Sequence, residues 1–229
     1  MSPHGNRFLA VGLPAGEGQV ALLARLAALD PAIRTVRSDG LHITVQFLGR
    51  FDPDLEPAVR AAVALVAARH HRFALAVGGL GAFPSAHRPS VVWLGVSAGR
   101  ADLSALAGAL ASALAAGGLP CDRRPLRPHC TLARIGDGLS TASRGELRTL
   151  LRSRPVADEF AVSELRLLES MPVPGEPNRY VTRATFSLGG IGAGSHLEGT
   201  AVPGVKGREL TGRDELAGTA LEGGDLGSG

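Results

Sequence analysis

The stretch LHITVQFLG, Leu41 to Gly49, reads as a buried β-strand carrying polar side chains that a buried strand does not need. Leu41, Ile43, Val45 and Phe47 alternate and so point to one face, leaving His42, Thr44 and Gln46 on the other. An imidazole and a hydroxyl two residues apart raise a question that a second stretch answers. PHCTLARIG, Pro128 to Gly136, repeats the pattern: His129, then Thr131 two later, aliphatic residues three and six after the histidine, and glycine seven after. The two histidines are 87 residues apart, and each motif follows a comparable strand-helix-strand run. One His-x-Thr in a strand is ordinary, since threonine favours sheets and a hydrogen bond can hold a histidine. Two copies with matching flanks point to two similar lobes related by approximate symmetry, each giving one strand to a shared cleft.

The residue types suit phosphodiester cleavage. Histidine titrates near neutral pH, so one imidazole can accept a proton while the other, protonated, donates one. Water must be activated and the leaving alkoxide protonated. Thr44 beside His42, and Thr131 beside His129, can each donate a hydrogen bond to a non-bridging phosphate oxygen. Arg123, Arg124, Arg127 and Arg134 surround the second motif and can neutralise charge. Strict alternation puts Arg134 on the face opposite His129. Its participation requires the strand to end or twist there.

The 229 residues are 45% hydrophobic, enough for a sizeable core. No run approaches the roughly 18 apolar residues of a membrane span. The opening MSPHGNRFLAVGLP lacks a signal-peptide layout, so a cytoplasmic location is expected. Cys121 and Cys130 fit neither a metal spacing nor a disulfide framework. Lys206 is the only lysine, which excludes Schiff-base, P-loop and lysine-adenylate chemistry from the body of the chain. From Gly189 onward three basic residues face six acidic ones, so the body carries +6 of a net +3 chain. An arginine-only cationic body suits anionic ligands, phosphate above all. Residues 189–229, Gly-rich and without an aromatic, are expected to form a disordered tail to a two-lobed domain over 1–188.

Within that body, strands are expected at RFLAVGL, 33–37, 41–48, 73–77, 90–96, 129–135, 160–169 and 179–187, with GGLGAFPSAHRP as a loop. Helices are expected over 17–29, 53–69, 102–115 and 144–152. Asp52 and Pro53 suit the start of the second, and Ser143-x-x-Glu146 is a candidate capping box for the fourth.

With these residues in place, the sequence resembles the two-histidine phosphoesterases, and among them the RNA 2′,3′-cyclic phosphodiesterases also called 2′-5′ RNA ligases. The resemblance runs from Arg7 to about Leu188 and includes LHITVQFLG, GGLGAFPSAHRPSVVWLGV, RPHCTLAR and RYVTRATFSL. It implies a bilobal α+β fold: two antiparallel sheets lining a central cleft, helices outside, and an approximate internal two-fold. It implies hydrolysis of 2′,3′-cyclic phosphodiester ends to 2′-phosphomonoesters, with 2′-5′ ligation as the reverse reaction, and neither metal nor cofactor. It assigns His42 as proton donor and His129 as proton acceptor, with Thr44, Thr131 and Arg134 at phosphate-contacting positions. Ser170, Pro174-Gly175 and Tyr180 match the family's closing segment, while MPVPGEPN is an insert there. The partner it implies is RNA with a cyclic end, tRNA fragments included, met by a monomer without a membrane.

Three other readings compete. GVSAG, Gly95 to Gly99, satisfies the nucleophile-elbow pattern, so an α/β-hydrolase using Ser97, Asp122 and His129 is conceivable. It leaves His42 and the repeat unexplained. A module that binds RNA ends without turnover would retain the same residues. A metal site at His70, His71 and His87 lacks nearby acidic or cysteine ligands.

Overall fold

The computed structural model describes residues 5–153 and 158–189. Nine strands and four helices alternate along it. The strands are β1 (Asn6–Gly12), β2 (Ile33–Thr35), β3 (His42–Gly49), β4 (Phe73–Pro84), β5 (Pro89–Ala98), β6 (His129–Ile135), β7 (Asp158–Val162), β8 (Glu164–Val173) and β9 (Glu176–Ser187). The helices are α1 (Glu17–Leu29), α2 (Glu56–Arg69), α3 (Arg100–Ala116) and α4 (Thr141–Arg152).

Every strand pairing is antiparallel, in the order β7-β4-β5-β6-β3-β1-β8-β9, with β2 added along β6. The centre of this order is an internal two-fold: β3-β1-β8-β9 on one side mirrors β6-β5-β4-β7 on the other. The two antiparallel sheets expected from the sequence therefore meet edge to edge. β3 and β6 touch where Ile43 sits opposite Cys130, and this contact makes one continuous curled sheet. Ile43 and Cys130 each follow a motif histidine, so the symmetry axis passes between the motifs themselves.

The helices cover one face. Leu26 of α1, Val59 and Val63 of α2, Leu103, Leu106 and Leu110 of α3 and Leu147 of α4 join Leu9, Ile43, Leu75, Leu94, Leu132 and Leu165 in one core. Val59 and Val63 of α2, and Leu103, Leu106 and Leu110 of α3, recur at the three- and four-residue spacing that puts them on one helix face. Truncating any one of the fully buried leucines to Ala should cost roughly 2–5 kcal/mol. Phe8, Ala10 and Leu168 form a smaller cluster with Tyr180.

Several boundaries differ from the sequence reading. GGLGAFPSAHRP is mostly strand: β4 runs on to Pro84, and Gly79, at φ 74°, absorbs a register shift instead of ending the strand. The closing strand expected over 160–169 divides into β7 and β8 at Ser163, and the insert MPVPGEPN is a hairpin turn at Pro174-Gly175. Helix α4 is capped by Ser140, whose hydroxyl accepts from the Ser143 amide at 3.1 Å; Ser143 lies inside the helix, so the expected box starts three residues late. Asp52 does cap its turn, accepting from the Asp54 amide at 3.0 Å. Leu188 is buried, and the Gly189 amide donates to the Ala67 carbonyl at 3.0 Å. The expected tail lies, from residue 190 on, outside the described residues.

Candidate active site

The alternation that opens β3 does not run its length. β1 and β3 pair Ala10 with Thr44 but Leu9 with Gln46, so Val45 is an extra residue, a β-bulge. Val45 and Gln46 are consequently both buried, and Phe47, expected in the core, turns to the opposite face with 38% exposure. The other half repeats this: Trp93 pairs with Thr131 but Val92 with Ala133, leaving Leu132 extra. Leu132 and Ala133 are both fully buried, and Arg134 is exposed on the face of His129 and Thr131. The twist that Arg134 needed is this bulge.

One cleft of ≈ 1020 Å³ is lined by His42, Thr44, His129, Thr131 and Arg134, the five candidate residues. Around the Ile43–Cys130 pair, antiparallel register sets His42 across from Thr131 and Thr44 across from His129. Each histidine thus neighbours the threonine of the other motif as well as its own.

The imidazoles are held alike. His42 Nδ1 lies 2.7 Å from the Gly40 carbonyl, and His129 Nδ1 lies 2.6 Å from the Arg127 carbonyl, in each case two residues back. A carbonyl only accepts, so each Nδ1 carries a hydrogen and donates it, leaving Nε2 as the nitrogen free for proton transfer. Aromatic rings complete both settings. His42 stacks on Phe8 at 5.0 Å and meets the edge of Tyr180 at 4.6 Å. His129 meets Phe83 at 5.1 Å and Trp93 at 6.3 Å. Trp93 lies flat over Gly81, where a Cβ would come within 2.1 Å of the indole. Burial lowers the His42 pKa below its ordinary 6.5; the Gly40 carbonyl works against this, and the charges of His129 and Arg134 add to it. Burial raises the Tyr180 phenol, with Arg134 opposing. Cys130, fully buried between the motifs, is pushed up to about 12 by desolvation, so it stays a thiol.

The segment before His129 is tied to β3. Gln46 Nε2 donates to the Asp122 carbonyl at 2.8 Å, and the Asp122 amide donates to the Phe47 carbonyl at 2.9 Å. This explains a glutamine only 6% exposed. Asp122 in turn grips Arg124 at 2.5 Å.

The aromatic settings of both histidines, and the turn of Phe47 out of the core into the cleft wall, escaped the sequence reading. A signal existed for Phe47: in the motif repeat it occupies the place of Arg134. Ser97 is exposed near the end of β5, outside the cleft lining, and its strand pairs antiparallel on both sides. Gly99, at φ 76°, makes the turn into α3, so the elbow pattern marks a strand-to-helix turn here. Among the described residues no group of three His, Cys, Asp or Glu is arranged to hold a metal, and His70 Nδ1 binds the Val66 carbonyl at 2.9 Å. Among the described residues no helix is long and apolar enough to cross a membrane.

Comparison with known proteins gives these features relatives. An RNA 2′,3′-cyclic phosphodiesterase from Aeropyrum pernix is 34% identical over 121 residues, covering 50% of this chain and 68% of the relative. A protein of the same name from Geobacillus stearothermophilus is 34% identical over 168 residues, 72% of this chain and 50% of the relative. Among solved structures, E. coli LigT complexed with 3′-AMP superposes with a TM-score of 0.63 at 28% identity, covering 81% of this chain and 98% of LigT. The profile of the 2′-5′ RNA ligase superfamily matches residues 19–171. The twin motifs, the mirrored half-sheets and this match agree: the chain belongs to the 2′-5′ RNA ligase superfamily.

Proposed function

We propose that this chain hydrolyses RNA 2′,3′-cyclic phosphate ends to 2′-phosphomonoesters, by proton transfer between two histidines. The observation that carries this is the pair of His-x-Thr motifs on adjoining strands, each imidazole fixed through Nδ1 so that Nε2 serves one cleft. A cyclic phosphate lies between the motifs, its non-bridging oxygens accepting from Thr44, Thr131 and the Arg134 guanidinium. His129 Nε2 takes a proton from water as the water oxygen bonds to phosphorus. The P–O3′ bond breaks, and His42 gives its Nε2 proton to the departing O3′. His129 then holds a proton and His42 has lost one, and exchange with solvent restores the pair. The orientation that makes O3′ the leaving group follows the family resemblance, because the two motifs are too alike to choose between oxygens. A 5′-hydroxyl in place of water gives a 2′-5′ linkage by the same steps, which is the ligation reading.

The names of the relatives support this activity, and E. coli LigT has been crystallised both with 3′-AMP and with phosphate. Because both histidines come from one chain, a monomer suffices for catalysis. RNA ends in the cytoplasm, such as those of tRNA fragments, fit as substrates.

Phosphorus NMR of an oligonucleotide ending in a 2′,3′-cyclic phosphate, with a strong chelator present, tests the reading. A 2′-phosphate is expected. A 3′-phosphate would reverse the orientation, chelator-abolished turnover would overturn the metal-free mechanism, and an intact cyclic end would leave a binding module.

A further inference from the structure

The cleft is larger than its chemistry requires. The proton-transfer groups occupy the floor at β3 and β6, yet the same cavity continues between α3 and the segment 119–128, where no group of the mechanism lies. Its ≈ 1020 Å³ stands at the top of the roughly 300–1,000 Å³ of a pocket for one small molecule. On one side α3 presents only small residues, Ser104, Ala107, Gly108 and Ala111, and the space above Gly108 is open. On the other side stand Arg123, Arg124 and Arg127, all exposed.

The arginine segment is held in place. Leu119 and Leu126 pack on the core, three prolines limit its backbone, and the Asp122 backbone is bonded twice to β3. Among the described residues Asp122 is the only carboxylate in the cleft lining, and it is committed to Arg124. Arg123 and Arg127 line the cleft without a carboxylate partner among the described residues. Unpaired guanidinium forks on a fixed segment, beside a smooth neutral wall, suit a thin chain with an anion at each unit.

We propose that this arm of the cleft is the track for the RNA strand leading to the cyclic end, with Arg123 and Arg127 meeting its internal phosphates. The inference rests on the proposed activity and deepens it. The substrate is an oligonucleotide end, and a cyclic mononucleotide fills only the floor.

The test compares two substrates that share a terminal nucleotide: a 2′,3′-cyclic mononucleotide and a pentanucleotide with the same cyclic end. Both are measured with the full chain and with the Arg123→Gln, Arg127→Gln double variant, whose fold is checked by circular dichroism. The pentanucleotide should be preferred by the parent chain, and the double variant should lose at least about tenfold of that preference. Each single-strand phosphate contact contributes about 0.7 to the log–log salt slope, so the slope for the pentanucleotide should fall by about 1.4. A rise from about 50 to 200 mM salt then costs the variant about sevenfold less than the parent. An unchanged preference and slope would overturn the track, as would equal losses on both substrates, which would assign these arginines to the floor. If the parent chain opened neither substrate, the proposed activity would itself fail, and the track with it.

Discussion

Replacing Arg134 by Gln tests both its proposed contact with the phosphate and its charge beside His42. The guanidinium faces the cleft, exposed and without a carboxylate partner among the described residues, so its positive charge is free for the substrate. A charge-assisted hydrogen bond contributes about 1.5–3 kcal/mol. Arg134 is exposed to solvent, which favours the lower end, about 1.5 kcal/mol or roughly a tenfold loss in kcat/KM. The same charge bears on His42. Burial first, then repulsion from His129 and Arg134, holds the His42 pKa below 6.5, despite the Gly40 carbonyl. In the free protein the kcat/KM profile should be a bell, because the proposed mechanism needs one imidazole protonated and the other neutral. The limb tied to His42 should lie on the acid side of 6.5. Removing Arg134 takes away a positive neighbour, so the protonated form becomes easier to reach and that limb should move up in pH. Burial remains, so the limb stays below 6.5. The assay is the pH dependence of kcat/KM on a cyclic-ended oligonucleotide, paired with NMR titration of the His42 ring in both proteins. Activity within threefold of the parent would refute the phosphate role of Arg134. An unmoved His42 titration would refute the electrostatic coupling.

Other expected outcomes follow from the same geometry. His42→Ala and His129→Ala should each lower turnover by roughly 10²–10⁴-fold with the fold intact by circular dichroism, and the double variant should fall well short of the product, because one transition state needs both. Buried Glu169 is raised by desolvation, but the Gly5 amide, Arg183 and Arg7 outweigh this and hold it below 4.5. Its stabilisation is therefore complete above 4.5 and lost as pH falls through the lower folded value. Glu169→Gln should cost about 3–5 kcal/mol at neutral pH, measured by urea unfolding, and flatten that acid dependence. Native-state alkylation at pH 8, read by mass, should leave Cys130 unmodified, given full burial and a pKa of about 12. Deleting residues 190–229 should leave melting temperature and turnover nearly unchanged, since that composition cannot form a core; a large drop in melting temperature would show that it docks.

The parts of this structure legible in the sequence are those with local causes. Period-two patterning located β3 and β6, aliphatic spacing and end signals such as Asp52-Pro53 and Ser143-x-x-Glu146 located the helices, and the repeated histidine and threonine located the cleft. The features that escaped depend on pairing between distant segments. A β-bulge adds one residue against a partner strand, and nothing in Val45-Gln46 or Leu132-Ala133 announces it, because neither site carries a glycine. Its consequence is large: it reverses Phe47 and brings Arg134 to the face that lines the cleft. Gly78-Gly79 misled in the opposite sense, reading as a loop where the strand carries a register shift. The rings around His42 come from β1 and β9, at opposite ends of the described chain, so no window of sequence contains them together.

A two-fold frame poses a problem that the same bulges resolve. Both halves supply a histidine, a threonine, a carbonyl two residues back, and an extra residue after the threonine. Four identical contacts would hold a phosphate equally well in either direction, and the enzyme would cut either ester bond. Each bulge also delivers one further side chain to the cleft, five residues after its histidine, and here the halves part. One delivers the Arg134 guanidinium and the other the Phe47 ring. The two histidines therefore work in different fields. His42 feels the Arg134 charge, while Phe47 adds an uncharged apolar ring to the cleft wall. Before His129 the long arginine segment adds a second asymmetry, whereas a short turn at Ser38–Gly40 leads into the strand of His42. Symmetry thus supplies the two motif histidines, the proposed proton-transfer groups, at matched positions. On the proposed mechanism, the exchange at the bulge and the one-sided arginine segment are the features of this chain that distinguish one direction of an RNA end from the other, and the Arg134→Gln and Arg123→Gln, Arg127→Gln variants test them.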